Sequence, residues 1–121
     1  MTTTGIDFVG LQSRDVEALA AFYEKKLGLK RAPVDRPGAV VFGTEPIPFA
    51  IREPLPGVDL DANKPGVGIG LWFKTDAPQE LHDSLAADGV PILVAPTPGP
   101  FGLQFTFKDP EGYVITVHGE S

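Results

Sequence analysis

Histidine and cysteine, two residue types common in acid–base and metal sites, are scarce in this 121-residue chain. The sequence has two histidines, His82 and His118, and no cysteine. Disulfides, thiolate metal sites and cysteine nucleophiles are therefore excluded, and general bases are scarce. His82 lies beside the apolar stripe of a predicted helix, so we expect it to face water and give it no role. The sequence contains no Ser-His-Asp arrangement, phosphate-binding loop or dinucleotide-binding glycine pattern.

The charge of the chain limits its partners. Its formal net charge is −6 at pH 7, whereas nucleic acids and anionic membranes bind clustered Lys and Arg. We therefore expect no nucleic-acid or membrane partner, and we favour a neutral or cationic small molecule. No apolar run has the length of a signal-peptide core or a membrane span, and the lack of cysteine is compatible with a reducing compartment. These features predict a cytoplasmic protein.

The pattern of residues 5–53 predicts one βαβββ module. Residues 6–12 alternate as a strand, and a helix follows, with Ser13 as its N-cap and Gly28 as its left-handed C-terminal cap. Breaks containing Pro and Gly then separate three extended segments, at residues 29–34, 39–43 and 47–52. Residues 54–66 contain several such breaker residues and an acidic stretch, which is typical of a linker.

Residues 67–119 repeat this order. A predicted strand at 67–74 precedes a helix that is capped by Asp76 and closed by Gly89. Extended segments follow at residues 90–95, 101–107 and 113–118, and the last two flank the turn sequence DPEG, so they form a hairpin. Gly28 and Gly89 lie about sixty residues apart, which indicates a repeat. We therefore predict one α+β domain, residues 1–121, built from two βαβββ modules.

Two stretches of the chain resemble the vicinal oxygen chelate superfamily. SRDVEALAAFYEKKLGL at residues 13–29 is similar to the first helix of that family, and FKDPEGYVITV at residues 107–117 resembles its closing hairpin. The family includes glyoxalase I, extradiol dioxygenases, fosfomycin-resistance enzymes and bleomycin-resistance proteins. The resemblance covers essentially the whole chain. It implies curved mixed sheets around a concave pocket, helices on the outer face, and a second subunit that completes the pocket, so we expect a homodimer.

The resemblance also implies where a metal would bind. In enzymes of this family, the first and last strands of each repeat carry His, Gln or Glu side chains that chelate a divalent cation. The matching positions here hold Phe8, Ala50 and Thr116, together with Gly68 or Ile69, because the register of the fifth strand is open by one residue. These side chains do not form a ligand set for a divalent metal. We therefore expect neither a metal nor another cofactor.

The register of the fifth predicted strand decides which side chains enter the implied pocket. We prefer the register in which Gly68, Gly70 and Trp72 face the pocket, because four apolar residues of the same strand then face the core. These four are Val67, Ile69, Leu71 and Phe73. Trp72 opposite Phe8, in a pocket kept open by the glycines, would stack on a flat heterocyclic ligand. The alternative is that Trp72 fills the core.

Neutral polar side chains are the remaining candidates for ligand contacts. Strand alternation can place Gln12, Gln104 and Thr106 on the pocket face, and Thr116 and His118 share one face of the last strand. On that face they would orient a ligand through hydrogen bonds. The alternatives are solvated strand edges and, for His118, a solvated end of the chain.

The resemblance and these residues together favour a non-catalytic binding protein of the bleomycin-resistance type. It would sequester an aromatic or cationic antibiotic, or a related metabolite, in a hydrophobic groove between two subunits. The first alternative is an enzyme of the same superfamily, either metal-free or with relocated metal ligands such as His118 and Glu53. The second is a dimerisation module without a ligand, because a fold alone does not define a function.

Overall fold

The chain folds as two units, Met1–Asn63 and Lys64–Ser121, in a computed structural model that describes residues 1–119. Each unit contains one helix and one mixed sheet, so the predicted α+β class is confirmed. The division between the units falls within the segment predicted to be a linker, residues 54–66. Neither helix of the described residues is long and apolar enough to cross a membrane.

The first unit has a three-stranded sheet and one helix. In chain order its elements are β1 (Val9–Gln12), α1 (Val16–Lys26), β2 (Ala39–Phe42) and β3 (Phe49–Arg52). The strand order is β1-β3-β2, with β1 parallel and β2 antiparallel to β3. Tyr23 of α1 is fully buried and packs edge-on against Phe49 of the central strand, with 5.2 Å between ring centroids. The apolar stripe of α1 is therefore the side that covers this sheet.

The start of α1 differs from the prediction by two residues. The N-cap is Asp15, whose side chain accepts a hydrogen bond from the Ala18 amide at 3.1 Å. Ser13 instead accepts from the Asp15 amide, also at 3.1 Å. Ser13 lies too far before the first helical turn to reach its free amides, so it supports the turn that precedes the helix. The helix ends as predicted at Gly28, with a φ of +75°.

The predicted strand at residues 29–34 is wrong. Only isolated bridges form in this region, Arg31 with Phe42 and Arg36 with Ala39. Pro33 has no amide hydrogen to donate, and a ladder cannot continue past it. The first module is thus βαββ, and β1 also starts later than predicted, at Val9, whose amide bonds to the Pro48 carbonyl at 3.2 Å.

The second unit has a four-stranded sheet and one helix. Its elements are β4 (Leu71–Lys74), α2 (Pro78–Ala87), β5 (Ile92–Gly99), β6 (Gly102–Lys108) and β7 (Val114–His118). The strand order is β4-β7-β6-β5, in which only the β4–β7 pair is parallel. Phe105, Phe107, Ile115 and Val117 are fully buried, and α2 lies against β5 and β6. One face of this sheet therefore forms the core of the unit.

Two expectations for the start of this unit are wrong. Val67 and Ile69 are 73% and 68% exposed instead of buried, because the chain turns at Gly66 and Gly68, both with positive φ, and the strand begins only at Leu71. The helix cap is Ala77, without a side-chain hydrogen bond, and not Asp76. Pro at the first helical position has no amide that needs a cap, which removes part of the demand for Asp76.

Candidate functional site

Five of the predicted site residues lie on one face of the second sheet. Trp72 of β4 pairs with Thr116 of β7, which pairs with Thr106 of β6, and His118 pairs with Gln104 one step further along. Side chains two residues apart share a face of a strand, so all five lie opposite the buried Phe and β-branched residues of the same strands. We call this set, Trp72, Gln104, Thr106, Thr116 and His118, the polar face.

Three aromatic rings meet at the polar face. The centroid of Trp72 lies 6.1 Å from that of Phe101 and 6.0 Å from that of His118, and Phe101 lies 5.4 Å from His118. Trp72 is 47% exposed and Phe101 54% exposed. Trp72 is therefore not a core side chain, and we call the three rings the aromatic cluster.

The hydrogen-bonding groups of the polar face are unevenly satisfied. The hydroxyl oxygens of Thr106 and Thr116 lie 3.0 Å apart and bond to each other. The Oε1 atom of Gln104 is buried and has no hydrogen-bond partner within residues 1–119. Gly99 makes room for this amide, because a Cβ at that position would collide with it. Since buried polar atoms are nearly always paired, this unpaired carbonyl oxygen is a candidate ligand contact, which a ligand would reach when the Gln104 side chain turns toward the open side of the face.

His118 belongs to the aromatic cluster and is not simply a solvated end residue. Its Nδ1 atom lies 2.8 Å from the Gly119 carbonyl. A carbonyl can only accept, so Nδ1 carries the proton, and in the neutral ring Nε2 is left as an acceptor. The ring thus offers a stacking surface and one acceptor nitrogen at the same place.

The predicted site residues of the first unit have different surroundings. Phe8 precedes β1 and is 54% exposed. The Oε1 atom of Gln12 accepts a hydrogen bond from the Leu55 amide at 2.8 Å, so this oxygen holds the loop that follows β3. The pairing of Phe8 with Trp72 across a pocket stays a prediction.

The predicted glycines lie in a loop and not in a strand. Gly68 and Gly70 belong to residues 64–70, which together with Lys108, Gly112 and Val114 line an open cavity of about 680 Å³. We call this cavity the loop recess. Its volume lies within the range of small-molecule pockets.

Sequence reasoning missed Phe101 and misplaced His82. Phe101 lies in the turn between β5 and β6, and its contact with Trp72 depends on how that hairpin bends, for which the sequence carries no signal. The His82 side chain is 19% exposed and packs edge-on against Phe105 at 5.4 Å, so the expectation that it faces water is wrong. Its Nδ1 lies 2.9 Å from Asp83 Oδ1, and this hydrogen bond is the main cause of the lowered pKa of Asp83.

The fold and the site define a class of protein. It is an α+β protein with two units, each made of one helix and one sheet, and the second sheet carries aromatic and neutral polar side chains on one face. The chain belongs to the Glyoxalase/Bleomycin resistance protein/Dioxygenase superfamily, whose model matches residues 5–117. The resemblance found in the two sequence stretches is thereby confirmed. A comparison with the curated proteins found no match.

Solved structures show the same fold over the full chain. The antibiotic binding protein TnmS3 from Streptomyces sp. CB03234 matches with a TM-score of 0.77 and 24% identity, covering 100% of this chain and 99% of that one. UcmS2 matches with a TM-score of 0.74 and 21% identity, covering 96% and 98%. Lactoylglutathione lyase from Agrobacterium tumefaciens matches with a TM-score of 0.69 and 22% identity, covering 98% and 96%.

The donor set does not fit the divalent metal that enzymes of this superfamily chelate. Thr116 and Ala50 lie in strands, where they pair with Trp72 and Gly10, whereas Phe8 precedes β1 and Gly68 and Ile69 precede β4. Of these positions only Thr116 has a side-chain oxygen, and that oxygen is bonded to the Thr106 hydroxyl. No group of three or more His, Cys, Asp or Glu side chains within the described residues could hold a metal ion.

Proposed function

We propose that this protein is a small-molecule-binding protein that sequesters a flat aromatic compound, an antibiotic or a related metabolite, on the polar face of its second unit. The observation that carries the proposal is the aromatic cluster, in which Trp72 and Phe101 each leave about half of their surface exposed. Large aromatic side chains are rarely left open on a sheet that already has a complete core on its other face.

The polar face supplies both parts of a recognition site for such a compound. Stacking on an aromatic side chain is worth about 1–3 kcal/mol for a flat base and tolerates variation in the ligand. The Thr106 and Thr116 hydroxyls and the unpaired Gln104 Oε1 add directional contacts beside the rings. A few polar groups in an otherwise apolar site fix the orientation of a ligand.

Binding is favoured over metal-dependent catalysis by the residues of the site. His118 is the single titratable member of the polar face, and the positions that carry metal ligands in enzymes of the family lack a suitable set. The fold is shared with an antibiotic binding protein, TnmS3, and also with a lactoylglutathione lyase, so the choice rests on the residues of the site.

A titration followed by Trp72 emission tests the proposal, because Trp72 is the only tryptophan. Planar aromatic antibiotics and cationic glycopeptide antibiotics would be added to protein purified without a metal-affinity tag. We expect at least one compound to change the emission saturably and to raise the melting temperature by mass action. The bound compound should be recovered chemically unchanged. Conversion of the compound, or a stoichiometric metal that binding requires, would favour the enzyme alternative.

A further inference from the structure

The loop recess is basic although the chain is acidic. Among the described residues, Lys64 and Lys108 are the only charged ones that line it, in a sequence with 16 acidic and 10 basic residues. This lining, without a carboxylate from residues 1–119, locally reverses the overall charge.

Neither lysine is neutralised by another residue of the described part of the chain. Within residues 1–119, Lys64 and Lys108 form no ion pair, whereas Arg14 is paired with Asp61 and Arg31 with Glu17. The carboxylate next to Lys108 in the sequence, Asp109, is buried and serves the turn. Its Oδ1 accepts hydrogen bonds from the amides of residues 111, 112 and 113, each at 2.9 Å. Two positive charges thus line the recess without an ion-pair partner among residues 1–119.

The recess adjoins the polar face. Val114 lines the recess and pairs with Lys108, and both lie two residues from the Thr116–Thr106 pair on the same strand faces. That separation is about 7 Å along a strand. The Trp72 Nε1 atom of β4 also lies close to Gly70, which lines the recess, because a Cβ added to that glycine would be 3.6 Å from Nε1. A ligand stacked on Trp72 can therefore extend into the recess without crossing another side chain of the polar face.

We propose that the loop recess binds an acidic group, a carboxylate or phosphate, of the aromatic ligand. This assignment rests on the proposed function and narrows it to aromatic acids, in contrast to the cationic ligand that the net charge suggested. Lysine ammonium groups are common partners of such anions. The nearby carboxylate, Asp109, is already bonded by the turn amides, including that of the lining residue Gly112. The charges of carboxylates elsewhere in the chain are screened within about 10 Å, so the two lysines set the charge at this end of the ligand.

Three probes of matched shape test the assignment: 2-naphthoic acid, its uncharged amide and 2-naphthylmethylamine, each titrated against Trp72 emission. The acid should bind most tightly and the amine most weakly. Lys64→Gln combined with Lys108→Gln should weaken binding of the acid by about 3- to 20-fold, the combined effect of two partly exposed charge pairs, and should leave the amide unchanged. The acid's advantage should also shrink at high salt.

The control is a charge-matched variant, Lys25→Gln with Lys30→Gln, which changes two exposed lysines of the first unit and should not alter the order of the probes. Equal affinity for acid and amide, or equal effects of the two double variants, would overturn the assignment while leaving the aromatic face as a binding site. If none of the three probes binds, the proposed function itself is contradicted, and the assignment of the recess falls with it.

Discussion

The indole of Trp72 and the imidazole of His118 lie on the neighbouring parallel strands β4 and β7, with 6.0 Å between their centroids and 51° between their planes. Phe101 closes this pair into a cluster from the β5–β6 turn. Leu71 and Phe73, the strand neighbours of Trp72, are each less exposed than the indole. The three rings of the cluster therefore contact one another, and Trp72 and Phe101 also leave part of their surface exposed. The exposed part suits stacking on a flat ligand.

Replacing Trp72 with alanine should weaken binding of an aromatic ligand by about 1–3 kcal/mol, as measured by calorimetry. The variant should lose clearly less stability than the about 3–5 kcal/mol typical of a core aromatic, because almost half of the indole is already exposed. Phe107→Ala is the matched control, since Phe107 is fully buried and should show that larger loss in urea denaturation. An unfolded Trp72→Ala protein, or unchanged affinity in a folded one, would refute a binding role.

The sequence predicted the polar face best where alternation coincides with a packed core. In β6 and β7, Phe105, Phe107, Ile115 and Val117 are all buried, so the intervening side chains had to face the other way. Position in the strand was enough there to group four polar-face residues. Burial of one face fixes the register of β6 and β7, and the alternating residues between the buried ones must then lie on the opposite face.

The same rule failed at residues 67–70 for a physical reason. Val67 and Ile69 continue the alternation of Leu71 and Phe73, but the intervening Gly68 allows a positive φ of +86°, and the chain turns before any strand partner is reached. Alternation describes side chains and says nothing about backbone freedom at glycine. Phe101 was missed because its place depends on β5–β6 register shifts between Ile92 and Thr97, which no short pattern indicates.

Asp109 should be essential to the turn that precedes β7. Asp109→Ala leaves the Glu111 and Tyr113 amides without their acceptor, whereas the Gly112 amide keeps the Asp109 carbonyl at 3.0 Å. We expect a loss of about 2–4 kcal/mol of unfolding free energy in urea denaturation. Asp109→Asn keeps one carbonyl oxygen and should lose distinctly less. If the two variants are equally stable, the turn does not depend on this acceptor.

The ion pair of Glu17 with Arg31 should slow amide hydrogen exchange in and around residues 29–34, the segment that does not form the predicted strand. Arg31 Nη2 lies 2.6 Å from Glu17 Oε1, and this hydrogen bond is the main cause that holds the pKa of Glu17 below its ordinary value. The contribution of a carboxylate with a lowered pKa is present at neutral pH and disappears as the pH falls through that pKa. Glu17→Gln should therefore speed hydrogen exchange at the Ala32 and Gly43 amides at about pH 7, and its difference from the wild type should shrink at the lowest pH at which both proteins stay folded. Equal differences at both pH values would contradict this origin.

We also predict a homodimer, as the exposed apolar side chains of the second unit favour. These include Val67, Ile69, Leu93, Val94 and Phe101. Exposed apolar side chains of this kind are commonly covered by a second copy of the chain. Sedimentation at micromolar concentration should give twice the 12.9 kDa mass of one chain, and Leu93→Lys with Val94→Glu should reduce it. A single-chain mass for the wild type would rule the dimer out under these conditions.

Gln104 should show opposite effects on stability and binding. Its buried Oε1 has no partner within the described residues, so Gln104→Met, which keeps the length of the side chain, should leave the unfolding free energy unchanged or raise it by up to about 2 kcal/mol. The same change should weaken binding of an aromatic ligand that donates a hydrogen bond to this oxygen, by about 1 kcal/mol. Gln12→Met is the matched control, because Gln12 Oε1 accepts from the Leu55 amide at 2.8 Å, and its loss should destabilise the protein by about 1 kcal/mol without changing affinity. If Gln104→Met costs as much stability as Gln12→Met, or leaves the affinity untouched, the unpaired oxygen is not a ligand contact.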